Sequence, residues 1–245
     1  MRREVKLVRR ASSDGVSDAS YGVASDASCG VDSDASYGVV SDAPLVVLNC
    51  FGDEGEVVAC ELDKLVGVPY SLLAINVSDW NSALSPWKAP AVFKGEGDFG
   101  CGADEYIAEL VNEIVPAACS EYGVRPRAIY IAGYSMAGLF ALYSLYKTDF
   151  FAGCASCSGS LWFPGFYEFA SEHEFDSSPS KIYLSLGDRE AKTRNPVMAT
   201  VEDKTRGIAE RYKSKGYDVR FEMNQGGHFN DPELRTAKGI AWVIK

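Results

Sequence analysis

Apolar positions along this chain fall into two textures that meet near residue 44. From Ala11 an eight-residue unit recurs as ASSDGVSD, ASYGVASD, ASCGVDSD and ASYGVVSD, and its apolar members are mainly single valines. Apolar side chains this sparse do not offset the entropy of ordering a backbone. Residues 1–43 are therefore expected to form a low-complexity, flexible leader, with a stacked-turn solenoid as the alternative.

From Pro44 the pattern becomes that of a folded α/β domain, expected to span residues 44–245. LVVLNCF (45–51), SLLAINV (71–77), AIYIAG (128–133), KIYLSLG (181–187) and DVRFEMN (218–224) read as strands. Most are continuous apolar runs, the signature of strands buried on both faces. Between them, VVACELDKLVG (57–67), ADEYIAELVNEIVPAAC (103–119), MAGLFALYSLYK (136–147) and the stretch from Val197 to Gly216 carry helical spacing. Strands alternating with helices predict a mostly parallel central sheet with helices on both faces. The long segment from Asp79 to Gly102, with Trp80, Trp87, Phe93 and Phe99, is expected either to overhang a site or to pack on itself.

One turn in this pattern carries chemistry. Gly133-Tyr134-Ser135-Met136-Ala137-Gly138 joins a buried strand to a helix, the setting of a nucleophile elbow. Such a turn lifts the serine hydroxyl above the sheet edge, and the small residues on either side let strand and helix approach. Alanine at 137 stands where the G-x-S-x-G pattern has its last glycine. The Met136 N–H, at the helix start, is the natural first oxyanion donor.

A serine needs a base, and the chain has two histidines. His228, in Gln225-Gly226-Gly227-His228-Phe229, follows the last predicted strand and suits the Ser…acid…His order of this architecture. His173, among acidic residues in SEHEFDSS, reads as a solvated loop residue. The acid should leave the strand ending at Gly187, where Asp188 and Glu190 both stand. Either could fix the histidine tautomer, and Glu190 is the preferred choice. The second oxyanion N–H is expected after the first strand, at Phe51.

Composition narrows the partners. The formal net charge of −10 lacks the basic stripe that a nucleic-acid surface needs. No apolar run approaches the roughly 20 residues of a membrane span, and MRREVKLVRR has no apolar core after its basic start, so a secretory signal is not expected. Seven cysteines show no metal-ligand spacing and suit buried thiols in a reducing cytoplasm.

Taken together, IAGYSMAGLFALYSLY, FAGCASCSGSLWFPGF, LSLGDRE and NQGGHF resemble the putative-esterase branch of the α/β hydrolases. That branch includes esterase D-like enzymes, feruloyl esterases and enterobactin-type siderophore esterases. The resemblance covers roughly residues 44–245. It implies an α/β-hydrolase fold, a serine esterase acting on a small-molecule ester, and no metal or organic cofactor. In siderophore esterases the Ser-Gly-Ser segment before Leu161-Trp162 lines the site. Trp162 is thereby a candidate substrate contact or a core residue, and Tyr134 a further substrate contact. Arg189, Lys192 and Arg194 could pair with an anionic substrate or be solvated. An acyltransferase, a siderophore ester hydrolase and a non-catalytic binding protein on the same fold are the alternatives.

Overall fold

In the computed structural model, residues 3–10, 18 and 19, 43–92, 95, 97–176 and 178–245 are described. Among the described residues eight strands form one sheet: β1 (Glu4–Arg10), β2 (Asp18–Ala19), β3 (Leu45–Cys50), β4 (Ser71–Asn76), β5 (Ile129–Tyr134), β6 (Gly153–Cys157), β7 (Lys181–Gly187) and β8 (Val219–Asn224). Their order is β2-β1-β4-β3-β5-β6-β7-β8. From β4 through β8 every pairing is parallel, and β1 runs antiparallel to both β2 and β4. This is the expected mostly parallel sheet.

Alternation along each strand divides the core in two. Val46, Leu48, Leu72 and Ala132 face helices α1 (Glu54–Asp63) and α8 (Pro232–Val243), against Val58, Leu62 and Ile240. Leu45, Val47, Leu73 and Ile131 face the opposite layer. That layer holds α3 (Ala103–Glu109), α4 (Val115–Glu121), α5 (Met136–Ser144), α6 (Phe166–Glu172) and α7 (Val201–Ser214), with the one-turn α2 (Trp80–Ala83) beside them. All nine residues of α5 are buried, so this mainly apolar helix is covered on every side. A π-helical stretch, Leu110–Ile114, joins α3 to α4 just before Pro116. Proline brings no N–H to the α-helical ladder there, and the wider turn carries the chain past it.

The expected boundary at residue 43 is corrected by β1. Leu7 and Val8 are 1% and 2% exposed and enter the two core clusters on opposite faces of the sheet. The basic residues that made this stretch look like a solvated leader are partners of the domain's acids. Arg3 bonds Asp79 (2.8 Å) and Glu109 (3.2 Å), Lys6 pairs with Glu56, and Arg9 bonds Asp63 (3.0 Å). The octapeptide repeat lies outside the described residues apart from β2.

β6, α6 and α8 had no counterpart in the sequence pattern. Small residues fill β6, and α8 follows a polar loop. Cys154 and Cys157, three apart on β6, belong to opposite faces and are buried free thiols, their ionisation pushed up by burial. Among the described residues no helix is long and apolar enough to cross a membrane. Because Leu7 fills core space, Leu7→Ala should cost about 2–4 kcal/mol of stability. Deleting residues 1–10 should lower the melting temperature further. A melt indistinguishable from wild type for both variants would show that β1 adds nothing to the core.

Candidate active site

The parallel strands end on one edge of the sheet, and the chemistry-bearing loops leave from there. Ser135, between β5 and α5, has φ 59° and ψ −121°, a conformation rare for a residue with a side chain. Gly133 makes the turn possible: a Cβ there would lie 2.5 Å from the backbone carbon and Cβ of Ala137. Gly138 in turn lets α5 pass close to Gly159, where a Cβ would meet its Cα at 3.0 Å. The alanine at 137 is thus accommodated by the glycine at 133, against which it packs. Backbone bonds hold the turn from both sides. The Ser135 N–H donates to the Cys157 carbonyl (3.1 Å), and the Ser135 carbonyl accepts from Leu139 (3.1 Å) and Ser160 (3.0 Å).

From this serine a run of short hydrogen bonds leads inward. Ser135 Oγ lies 3.0 Å from His228 Nε2, and His228 Nδ1 lies 2.7 Å from Glu190 Oε2. A carboxylate only accepts, so Nδ1 carries the proton and Nε2 is left to accept from the serine. The Glu190 side chain is 5% exposed. Its second oxygen, Oε1, accepts from the Gly187 N–H (2.6 Å), the Ser158 hydroxyl (2.7 Å) and Arg235 Nη1 (3.2 Å). Burial pushes this carboxyl upward, but the bonds from His228, Ser158 and Gly187 outweigh it and leave its pKa below the usual carboxylate range.

Asp188, the rival acid, does not face the histidine. Its Oδ1 accepts from the Gly226 N–H (2.8 Å) and stands 3.8 Å from Arg189, at the half-exposed start of the loop. Asp188 braces the His228 loop and leaves the imidazole to Glu190. His173 is exposed at the end of α6, its ring stacked on Phe169.

A cavity of about 510 Å³ opens beside Ser135 and His228, with Phe51, Trp80, Tyr134 and Phe229 on its wall. Phe51 and Phe229 are strongly exposed, and Phe51 meets Trp80 edge-on at 5.5 Å. The Tyr134 hydroxyl donates to the His228 carbonyl (2.6 Å), and burial raises its pKa to about 12. Trp162 corrects an expectation: it is buried against Phe99 (6.1 Å) and is not part of this wall. Of the aromatic residues in the Asp79–Gly102 segment, Trp80 reaches the cavity, while Phe99 lies in the core and Trp87, half-buried, packs against it. Phe93 lies outside the described residues. Arg189, Lys192 and Arg194 do not line the cavity. Among the described residues no group of three or more His, Cys, Asp or Glu side chains could hold a metal ion.

Sequence reasoning missed Arg235, and it marked the Ser158-Gly159-Ser160 segment without giving Ser158 a partner. Arg235, on α8, sits in a stretch without apolar periodicity and left no local signal, and the bond from Ser158 to Glu190 joins residues 32 apart in the chain.

A mostly parallel sheet with a strained serine at a strand-to-helix turn, followed by acid and histidine in chain order, defines an α/β-hydrolase fold. The chain belongs to the putative-esterase family, whose model matches residues 65–231. Among solved structures it is similar to a siderophore hydrolase, EstA, from Aspergillus nidulans, with 17% identity, TM-score 0.65, and 83% of this chain and 82% of that one covered. An IroE-like serine hydrolase from Shewanella oneidensis matches at 15% identity and TM-score 0.65, covering 83% and 71%. The enterobactin esterase FES from Shigella flexneri matches at 18% and 0.60, covering 82% and 52%. A curated relative, the uncharacterized protein YbbA of Bacillus subtilis (strain 168), is 22% identical over 149 residues, so the chain spans 60% of that protein's length.

The depressed carboxyl has a thermodynamic consequence. A group whose folded pKa lies below its unfolded value contributes stability that is complete above the unfolded value and lost as pH falls through the folded one. The melting-temperature advantage of wild type over Glu190→Gln should hold from neutral pH to about 5 and shrink below it. An advantage that grows on acidification would contradict this.

Proposed function

We propose that this protein is a serine carboxylic ester hydrolase working through an acyl-enzyme, with Ser135 as nucleophile, His228 as general base and Glu190 as the acid that orients it. The observation that carries the reading is the unbroken relay from Ser135 Oγ to Glu190, ending at a strained serine on a cavity wall. Membership in the putative-esterase family supports the same class of reaction.

In the proposed reaction His228 Nε2 takes the Ser135 proton as Oγ attacks the ester carbonyl. The carbonyl oxygen becomes an oxyanion, received by the Met136 N–H at the start of α5 and the Phe51 N–H after β3. The imidazolium, held by Glu190, then protonates the departing alcohol. Water, deprotonated by His228, attacks the acyl-serine and releases the acid.

The cavity also narrows the ester. Its described wall carries Glu54 and Glu233 and no lysine or arginine. The formal charge of the chain is −10. Apolar surface with acidic groups favours small neutral or cationic esters and repels anionic ones. A siderophore ester, the substrate class named for several structural relatives, suits this wall in an uncharged form.

Fluorophosphonate labelling together with p-nitrophenyl butyrate hydrolysis tests the mechanism. Ser135→Ala should lose labelling and fall on the order of 10⁴-fold or more in kcat. Glu190→Gln should lose about a hundredfold or more, and Asp188→Asn only a few-fold. Retained activity in Ser135→Ala, or equal small losses in the two acid variants, would sink the assignment. For the substrate, p-nitrophenyl butyrate should exceed its anionic analogue, the p-nitrophenyl hemisuccinate, by about tenfold in kcat/KM at low salt, the gap narrowing as salt is added. Equal rates would remove the electrostatic argument.

A further inference from the structure

Arg235 carries a full charge yet is 2% exposed, in the second turn of α8. A buried guanidinium is stable only where its donors are satisfied and its charge is met. Here both conditions are supplied by the loops of the candidate active site. Nη1 lies 3.2 Å from Glu190 Oε1, 3.2 Å from the Tyr134 hydroxyl and 3.3 Å from Ser158 Oγ, and Nη2 donates to the Gln225 carbonyl at 3.0 Å. One side chain thereby ties together the residue before the serine, the end of β6, the acid after β7 and the start of the histidine loop. The approach depends on Gly187, where a Cβ would stand 3.0 and 3.1 Å from the two terminal nitrogens.

We propose that Arg235 is a positioning residue for the Ser135–His228–Glu190 set, an inference that rests on the esterase reading. Its guanidinium fixes the Glu190 carboxylate and supplies the counter-charge that limits how strongly that carboxylate holds the protonated form of His228. Glu190 divides its two oxygens: Oε1 is saturated by Gly187, Ser158 and Arg235, and Oε2 is left to the imidazole. The acid is thus held in one rotamer with one oxygen aimed at Nδ1. A histidine beside an uncompensated buried carboxylate would keep its proton and be a poor base toward Ser135. The positive charge behind Glu190 offsets that pull. The other titratable groups that face the set are Tyr134, Asp188 on the Gly226 amide, and Glu54 and Glu233 on the cavity wall. Apart from the tyrosine these are acids; exposed Arg189 stands 3.8 Å from Asp188, and Arg235 is the buried cation bonded to Glu190 itself.

The chain's two histidines make a direct test possible. The ring resonances of His228 and His173 can be followed by proton NMR against pH in wild type, Arg235→Met and Arg235→Lys, with His228→Gln giving the assignment. Removing the cation should move the His228 midpoint upward by about half to one pH unit, while exposed His173 stays in place. The acid limb of kcat/KM should move with it, and kcat per fluorophosphonate-titratable site should fall about tenfold with little change in KM. Arg235→Lys keeps the charge and loses the fork, so its His228 midpoint should stay near wild type while kcat drops several-fold. A His228 midpoint unchanged or lowered in Arg235→Met would overturn the counter-charge role. Should the methionine variant not fold, the lysine variant decides: wild-type kcat there would overturn the positioning role. The NMR arm reads the electrostatics of His228 whether or not an ester is turned over. Failure of the esterase reading and failure of this inference are therefore separate results.

Discussion

The crossing of β5 and α5 is the constraint on which the site depends. Ser135 sits in a backbone conformation that costs energy for any residue with a Cβ, and nothing local would hold it there. The conformation persists because Gly133 and Gly138 let the helix press against the sheet, and because the Ser135 amide and carbonyl are both tied to the β6 loop. The strain of one residue is offset by the packing of a helix buried on every side. That rigidity fixes the hydroxyl relative to a histidine delivered from the far end of the chain.

The polar interior around Glu190 follows the same logic in electrostatic terms. A carboxylate at 5% exposure is sustained by three donors on one oxygen and an imidazole on the other. Hydrogen bonds and a neighbouring cation offset the cost of burial, so the group remains an anion. Each donor comes from a different segment, so the acid's orientation and the mutual placement of four loops are one problem with one solution. Asp188, two residues earlier and equally acidic, points to a backbone amide on the surface and takes a bracing role.

The N-terminal strand reaches the same region by another route. Arg3 lies over the Tyr106 ring at 3.8 Å, and the Tyr106 hydroxyl donates to Asn49 at the end of β3 (2.6 Å). β3 leads directly into Phe51, the proposed second oxyanion donor. The first described residues of the chain thereby support the floor of the loop on which the proposed chemistry relies.

Much of this architecture was legible before any coordinates. Continuous apolar runs separated by helical periods specify a parallel sheet, because only strands covered on both faces are apolar throughout. The elbow was readable because its chemistry is local: small residues must flank a serine wherever a strand turns tightly into a helix. His228 stood out by scarcity and chain order. Tertiary structure decided the rest. Glu190 and Asp188 are neighbours in sequence, and only the direction each side chain takes after β7 separates their roles. Trp162 could have faced a ligand or the core, and its packing on Phe99 set the outcome. β1 was hidden because its charges looked solvated until their partners, tens of residues away, came into place. Arg235 was silent for the same reason: a buried ion is defined by what surrounds it, and its surroundings come from four distant segments that meet only in the folded chain.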